Sequence, residues 1–311
     1  MPKREPFFRP GADLGSSYEA LRVETHHETA RGYIEALWLR YEYFADSHFL
    51  TDAQSHFHER FWEMYLACAL MDRGLDLKPS GGVGPDYYFT SDRRKIWIEA
   101  VAPGPGSGAD RAPETTPGVV STIEHDPIVL RLTGAVRDKK ILMEAARDKG
   151  IIAPTDYVLL GINHKGIPKA FMGSTIPFIA KAVLSFGHLS LAIDRETREI
   201  VDSHYTYNPS VGKQSGKTVS TEAFLDPAYS IVSGIISSGV DCVNYPNSMG
   251  EDFLLLHNPT AANPLDTGTL RWCRQAQYKE SQLVYFEPEI FTHRVRIVNT
   301  IDTGANNSAH D

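Results

Sequence analysis

Two acidic residues stand where their type and setting suit chemistry. Asp86 follows a glycine-rich turn at Gly84-Pro85, and Glu99 sits inside Lys95-Ile96-Trp97-Ile98-Glu99-Ala100-Val101, an apolar run that reads as a buried strand. Buried strand faces exclude carboxylates unless something compensates them. Two carboxylates brought together by adjacent strands suit a hard divalent cation held by oxygen ligands. With no Cys or His beside them, the pair favours Mg2+, or Mn2+, over Zn2+.

The elements that must position these acids are legible from periodicity. Ser16 and Glu19 have the spacing of a capping box, so a helix is expected from 16 to about 44, with Leu21, Ile34, Leu37, Trp38 and Tyr41 on its apolar side. A second helix is expected from 55 to 73, where Phe57, Phe61, Trp62, Tyr65, Leu66, Ala69 and Leu70 recur at helical spacing and Gly74 ends it. The period then changes. Short strands are expected at 75–78, 86–90 and 95–101, the last two joined through Ser91-Asp92-Arg93-Arg94 as a hairpin. Residues 103–126 are rich in Pro and Gly and read as a long loop, a kind that is usually functional or disordered. A third helix follows from about 127 to 149, and Tyr157-Val158-Leu159-Leu160-Gly161-Ile162-Asn163 is a buried strand, parallel to an earlier one.

Farther on, 189–194 and 199–205 alternate as a hairpin, 229–237 is either a strand or a short helix, and 253–257 is a strand. The expected organisation is an N-terminal arm and helix over 1–54, a core over 55–163, a C-terminal β-rich elaboration of the same domain over 164–302, and a polar tail over 303–311. Residues 1–14 read as an arm or a disordered stretch.

Composition limits the function classes. The 311 residues are 42% hydrophobic and 23% charged, which is ordinary for a globular protein. A net charge of -8 argues against a broad nucleic-acid-coating surface but leaves room for a local basic cleft. Three cysteines without paired spacing favour reduced thiols and a cytoplasmic setting. No apolar run is long enough to suggest a membrane span, and no signal peptide is evident at Met1-Pro2-Lys3-Arg4-Glu5.

The order αβββαβ, with Pro85-Asp86 on the second strand and Glu99 on the third, resembles the PD-(D/E)XK nuclease superfamily over roughly residues 55–163. The fragments Phe61-Trp62-Glu63, Gly84-Pro85-Asp86, Trp97-Ile98-Glu99-Ala100 and Leu130-Arg131 also look like a group of uncharacterised bacterial proteins on this fold. The resemblance implies an α/β, restriction-endonuclease-like core with a mixed sheet, and a Mg2+-dependent nuclease of the kind that serves as a restriction or phage-defence effector. It implies that Asp86 and Glu99 bind metal, with the carbonyl of Ala100 and Glu63 of the first core helix as further ligands. The motif lysine two residues after the second acid is replaced by Val101. That lysine orients the attacking water and steadies the developing charge. Some superfamily members supply the cation from the following helix, which makes Lys139 the expected substitute and Lys140 the alternative. Arg93, Arg94, Arg131 and Arg137 are the expected nucleic-acid contacts, Arg131 as a phosphate clamp, with DNA the expected partner rather than RNA. The N-terminal helices offer a surface for a homodimer or a protein partner. Loss of the motif lysine also leaves open a catalytically inactive binding or assembly module on the same fold.

Other motifs are weaker. Gly212-Lys213-Gln214-Ser215-Gly216-Lys217-Thr218 is one residue short of a P-loop, no clear helix follows it, and it reads as a basic loop able to touch a nucleic-acid backbone. His56 and His58 would point to different sides of a helix, and together with His26 and His27 they read as surface or packing residues rather than metal ligands.

Overall fold

Two apolar runs separated by a long helix form the centre of a sheet. The structure, a computed structural model, describes residues 5–288 except Pro117, Ser121 and Gly173, together with the backbone of 295–302; the polar tail 303–311 lies outside the described residues. Among the described residues there are six α-helices, and an eleven-stranded mixed sheet of order β1-β2-β3-β4-β9-β10-β11-β12-β13-β6-β5. The segment that carries both acids runs α4 (Phe57–Asp72), β1 (Lys78–Pro79), β2 (Tyr87–Ser91), β3 (Arg94–Val101), α5 (His125–Asp148) and β4 (Tyr157–Asn163). Strands β2 and β3 form the expected antiparallel hairpin, and β4 runs parallel to β3.

The hairpin turn sits at Asp92 and Arg93, both at positive φ (47° and 66°). Consecutive left-handed residues match the twist of a tight hairpin. Along β3, Ile96, Ile98 and Ala100 face one core layer while Trp97 and Val101 face the other. Strand side chains alternate, so Glu99 shares the face of Trp97 and Val101.

The first layer is built on α4, whose residues from Phe61 to Leu70 are all buried. The spacing of its apolar residues predicts one buried face. The helix is instead enclosed on all sides, by the sheet below and by α2 (Glu28–Tyr41) and α3 (Phe49–Ser55) above. It approaches β4 closely at Gly161, where a Cβ would lie 2.2 Å from the Leu66 Cδ2. The Trp62 indole N–H donates to the Gly161 carbonyl at 2.9 Å. The second layer is α5, packed on the opposite face through Ile128, Val129, Leu132, Val136, Met143 and Ala146.

Several boundaries differ from expectation. The first long helix breaks into α1 (Ser16–Val23) and α2, because Glu24 adopts an extended conformation and Thr25–His27 form a turn of 3-10 helix. The capping box is not formed: Gly15 is the N-cap without a side-chain cap, and Glu19 pairs with Arg22 at 2.7 Å. The second helix is found close to expectation, as α4 from Phe57, and α3 is a further short helix in a stretch where none was expected, separated from α4 at His56. The N-terminal arm is packed from residue 5 on. Phe7 is fully buried, its N–H donates to Glu35 Oε2 at 3.0 Å, and the Trp38 indole donates to the Glu5 carbonyl at 3.0 Å.

The remaining strands extend the same sheet. α6 (Phe178–Leu184) leads into the hairpin of β5 (Phe186–Ile193) and β6 (Ile200–Tyr207). A short separate hairpin, β7 (Ser210–Gly212) with β8 (Thr218–Ser220), carries the basic loop. β9 (Gly234–Ser238) resolves the open reading of 229–237 as strand, preceded by a 3-10 turn, and pairs parallel to β4. β10 (Leu254–His257), β11 (Arg274–Lys279), β12 (Gln282–Phe286) and β13 (Val295–Asp302) complete the row.

Candidate active site

Asp86 immediately precedes β2, and Tyr87 is paired with Ile98. Extending that register sets Asp86 opposite Glu99, on the same face of the hairpin. The Ala100 N–H donates to Asp86 Oδ2 at 2.7 Å. The N–H and C=O of one strand residue point to the same side, so the Ala100 carbonyl is directed toward the same edge as Asp86. The two acids and the Ala100 backbone therefore gather at the end of β3.

On α5, Lys139 continues the stripe of Leu132, Val136, Met143 and Ala146 that packs on the sheet. It meets Glu99 directly: Lys139 Nζ donates to Glu99 Oε1 at 2.5 Å. Glu99 is 8% exposed. Burial disfavours the Lys139 ammonium, but the charges of Glu99 and Asp86 outweigh it and hold its pKa above the ordinary lysine value. Asp86 keeps some solvent-accessible surface, yet protein atoms crowd its carboxyl group. Burial first, then the charges of Glu99 and Glu63, push its pKa well above the usual carboxylate range; the Ala100 N–H and Lys139 oppose that shift.

Glu63 reaches the neighbourhood from the other layer. Its Oε1 accepts from the Tyr41 hydroxyl, and its Oε2 accepts from Arg60 Nη1 at 2.7 Å. Burial raises the Glu63 pKa against the pull of Tyr41 and Arg60. Arg60 also donates to Asp52 Oδ2 at 2.7 Å. Both Glu63 oxygens are thus hydrogen-bonded within the protein. The charge of Glu63 is still felt at Asp86.

Other sequence-predicted residues separate. Lys140 pairs with Glu144 at 2.8 Å and lies against the Tyr229 ring, so it does not share the Glu99 contact. Arg93 and Arg94 lie at the turn end of the hairpin. At the rise of a strand, that end is about 16 Å from Glu99, and Arg94 is taken up by Tyr157, to whose hydroxyl it donates at 3.1 Å. The reason is geometric: a hairpin turn and the far end of its strands cannot meet. Arg131 and Arg137, by contrast, line a cleft of about 360 Å³ with Lys139, between α5 and the loop that follows β3. Arg131 Nε donates to the Gly104 carbonyl at 2.9 Å, and Arg137 pairs with its neighbour Asp138 at 2.9 Å.

The donor set suits a hard cation at the Asp86–Glu99 edge. One oxygen of Asp86 and one of Glu99 have no hydrogen-bond partner among the described residues. Lys139 pairs with Glu99 and Arg60 with Glu63, whereas Asp86 has no paired cation and its protonated form is favoured instead. The three acids do not bring their ligand atoms within 4.8 Å of one another; among the described residues only Glu24, His26 and His27 do so, at the exposed 3-10 turn before α2. Sequence reading took His26 and His27 as surface or packing residues within one long helix; the extended Glu24 breaks that helix and brings them beside itself, with His26 Nε2 at 3.2 Å from Glu24 Oε2.

One residue that sequence reading placed in a loose basic loop belongs to the same cleft. Lys213, at the end of β7, lines it opposite α5. Its charge was visible in the sequence, but no periodicity links a short distant hairpin to a helix. No protein family, no curated protein and no solved structure matches this chain.

Proposed function

We propose that this protein hydrolyses phosphodiester bonds of nucleic acid, DNA rather than RNA, with Mg2+ as its metal. The run α4-β1-β2-β3-α5-β4 is read as a restriction-endonuclease-like core, and Asp86, Glu99 and the Ala100 carbonyl as the ligands that would hold the ion. The observation that carries the proposal is the contact between Lys139 Nζ and Glu99 Oε1. It brings a lysine to the metal-binding acid although the motif position after Glu99 holds Val101.

The bound cation would lower the pKa of a water molecule and offset charge on the scissile phosphate. The protein's own groups do the rest. Lys139 has three N–H donors, one of them spent on Glu99; the others orient the attacking water and steady the charge that grows on the phosphoryl oxygens. The water oxygen bonds to phosphorus as the P–O bond to the leaving strand breaks; the proton that the water gives up passes to solvent, and the departing oxygen takes one from solvent. The Ala100 N–H fixes the Asp86 carboxyl against rotation. Arg131, braced on the loop carbonyl of Gly104, clamps a neighbouring phosphate.

Purified protein incubated with plasmid, single-stranded DNA and RNA should degrade DNA in Mg2+ or Mn2+ and not in EDTA. Glu99→Gln should abolish the activity, and Lys139→Met should lower it about 100-fold, the cost of removing one group that stabilises the transition state. A second reading is favoured by Val101: the buried Lys139–Glu99 pair serves only to join α5 to the sheet in an inactive binding module. That reading requires no hydrolysis with either metal and no rise in Tm on titration with Mg2+.

A further inference from the structure

The β7–β8 hairpin stands against α5 in a fixed way. Val211 pairs with Val219, and Val211 is buried in the same core layer as α5. The tip is closed by Lys213 N–H donating to the Lys217 carbonyl at 2.7 Å and tied to the long loop by Gln214 N–H donating to Asp110 Oδ1 at 2.7 Å. This places Lys213 across the cleft from Arg131 and Lys139.

The charge of this cleft runs against that of the chain. Arg131, Arg137, Lys139 and Lys213 line it, against the carboxylates of Glu59 and Asp138. The whole molecule carries a net charge of -8. Lys139 is committed to Glu99 and Arg137 to Asp138. Neither Arg131 nor Lys213 has an acidic partner among the described residues, so both charges are free for an anion. Among the described residues no aromatic side chain lines the cleft, which removes the stacking platforms that read or hold bases. A volume of about 360 Å³ is at the small end of ligand sites, the scale of a single nucleotide unit rather than of a double helix.

We propose that Lys213 and Arg131 form the two sides of a backbone track that delivers one nucleic-acid strand, without base preference, to Asp86 and Glu99. The proposal rests on the hydrolytic reading above and assigns the phosphate grip to the β7–β8 hairpin rather than to the turn at Arg93 and Arg94.

The test is fluorescence anisotropy of the full-length chain in EDTA, with labelled single strands of mixed and uniform sequence and the matching duplex, over a range of salt. The wild type should bind all single strands alike and more tightly than duplex. Lys213→Ala should weaken binding about tenfold and lower the salt slope by about 0.7, the contribution of one phosphate contact on a single strand; Lys213→Arg should restore both. The pair Arg93→Ala with Arg94→Ala should bind as the wild type does. Unchanged affinity and slope in Lys213→Ala, or tighter binding of duplex, overturns the track while leaving the hydrolytic reading standing. Failure of the wild type to bind any nucleic acid overturns both.

Discussion

Glu99 and Lys139 take facing positions in two stripes that are otherwise apolar, one on β3 and one on α5. Truncating one partner of such a pair leaves a buried charge behind, which costs about 3–5 kcal/mol when both are fully enclosed. Lys139→Ala should therefore destabilise the fold by about 3 kcal/mol, the low end of that range, because the Lys139 side chain keeps a 22% exposed fraction; urea unfolding of the two proteins measures it, and a change near zero would mean that Glu99 is not compensated by this lysine. Asp86 gives a prediction with a definite sign. Its carboxyl pKa is raised in the fold, by burial and then by Glu99 and Glu63. Its contribution to stability is therefore complete below about pH 4, the ordinary carboxylate value, and is lost as pH rises through the raised native value. Asp86→Asn keeps an acceptor for the Ala100 N–H and removes the titration. In EDTA it should match the wild type in Tm at acid pH and exceed it increasingly toward alkaline pH. A Tm difference that stays flat or reverses would show that Asp86 carries no such penalty.

At the scale of elements, the site depends on how closely two helices lie on the sheet. α4 seats Leu66 over Gly161, where an added Cβ would fall 2.2 Å from the Leu66 methyl. Both residues are buried, so neither has room to yield. Gly161→Ala should cost about 1–3 kcal/mol as an overpacked core substitution, readable as a lower urea midpoint, and unchanged stability would mean that α4 shifts freely. The helices themselves were legible where periodicity was strong: α5 begins and ends within two residues of expectation, and the β2–β3 turn falls at Asp92 and Arg93 as its residues suggest. The break at Glu24 and the short helix α3 were not legible. α1 packs on both α2 and α3, contacts that no local stretch of residues encodes and that override local propensity.

At the scale of the molecule, charge and apolar surface are distributed unevenly. A chain of net charge -8 gathers four cations around one cleft beside its paired acids. That contrast confines positive potential to one cleft rather than to the surface at large. The N-terminal arm shows the same non-local logic. Rich in Pro, Arg and Gly, it reads as an arm or a disordered stretch, and the structure packs it: Phe7 is fully buried among Phe8, Tyr18, Trp38 and Phe57. Phe7→Ala should cost about 3–5 kcal/mol, seen as a lowered Tm, whereas an arm without a structural role would leave Tm in place. Among the described residues no helix is long and apolar enough to cross a membrane.

By itself the sequence determined the local pieces: that Glu99 interrupts a buried strand, that Asp86 closes a glycine-rich turn, and that α5 carries a face with Arg131, Ala135, Asp138 and Lys139. Periodicity of 2 and of 3.6 encodes which side of an element a residue takes, and so those readings needed no neighbours. Only the tertiary structure decided who meets whom: Lys139 rather than Lys140 at Glu99, Glu63 drawn away to Tyr41 and Arg60, and Lys213 rather than Arg93 and Arg94 at the cleft. Adjacent lysines on one helix differ by about a quarter turn, and which of them reaches an acid is set by the angle at which that helix packs. A strand's two ends stay apart by its own length, while chain-distant hairpins can be folded onto the same groove; neither relation is written in any local stretch of residues.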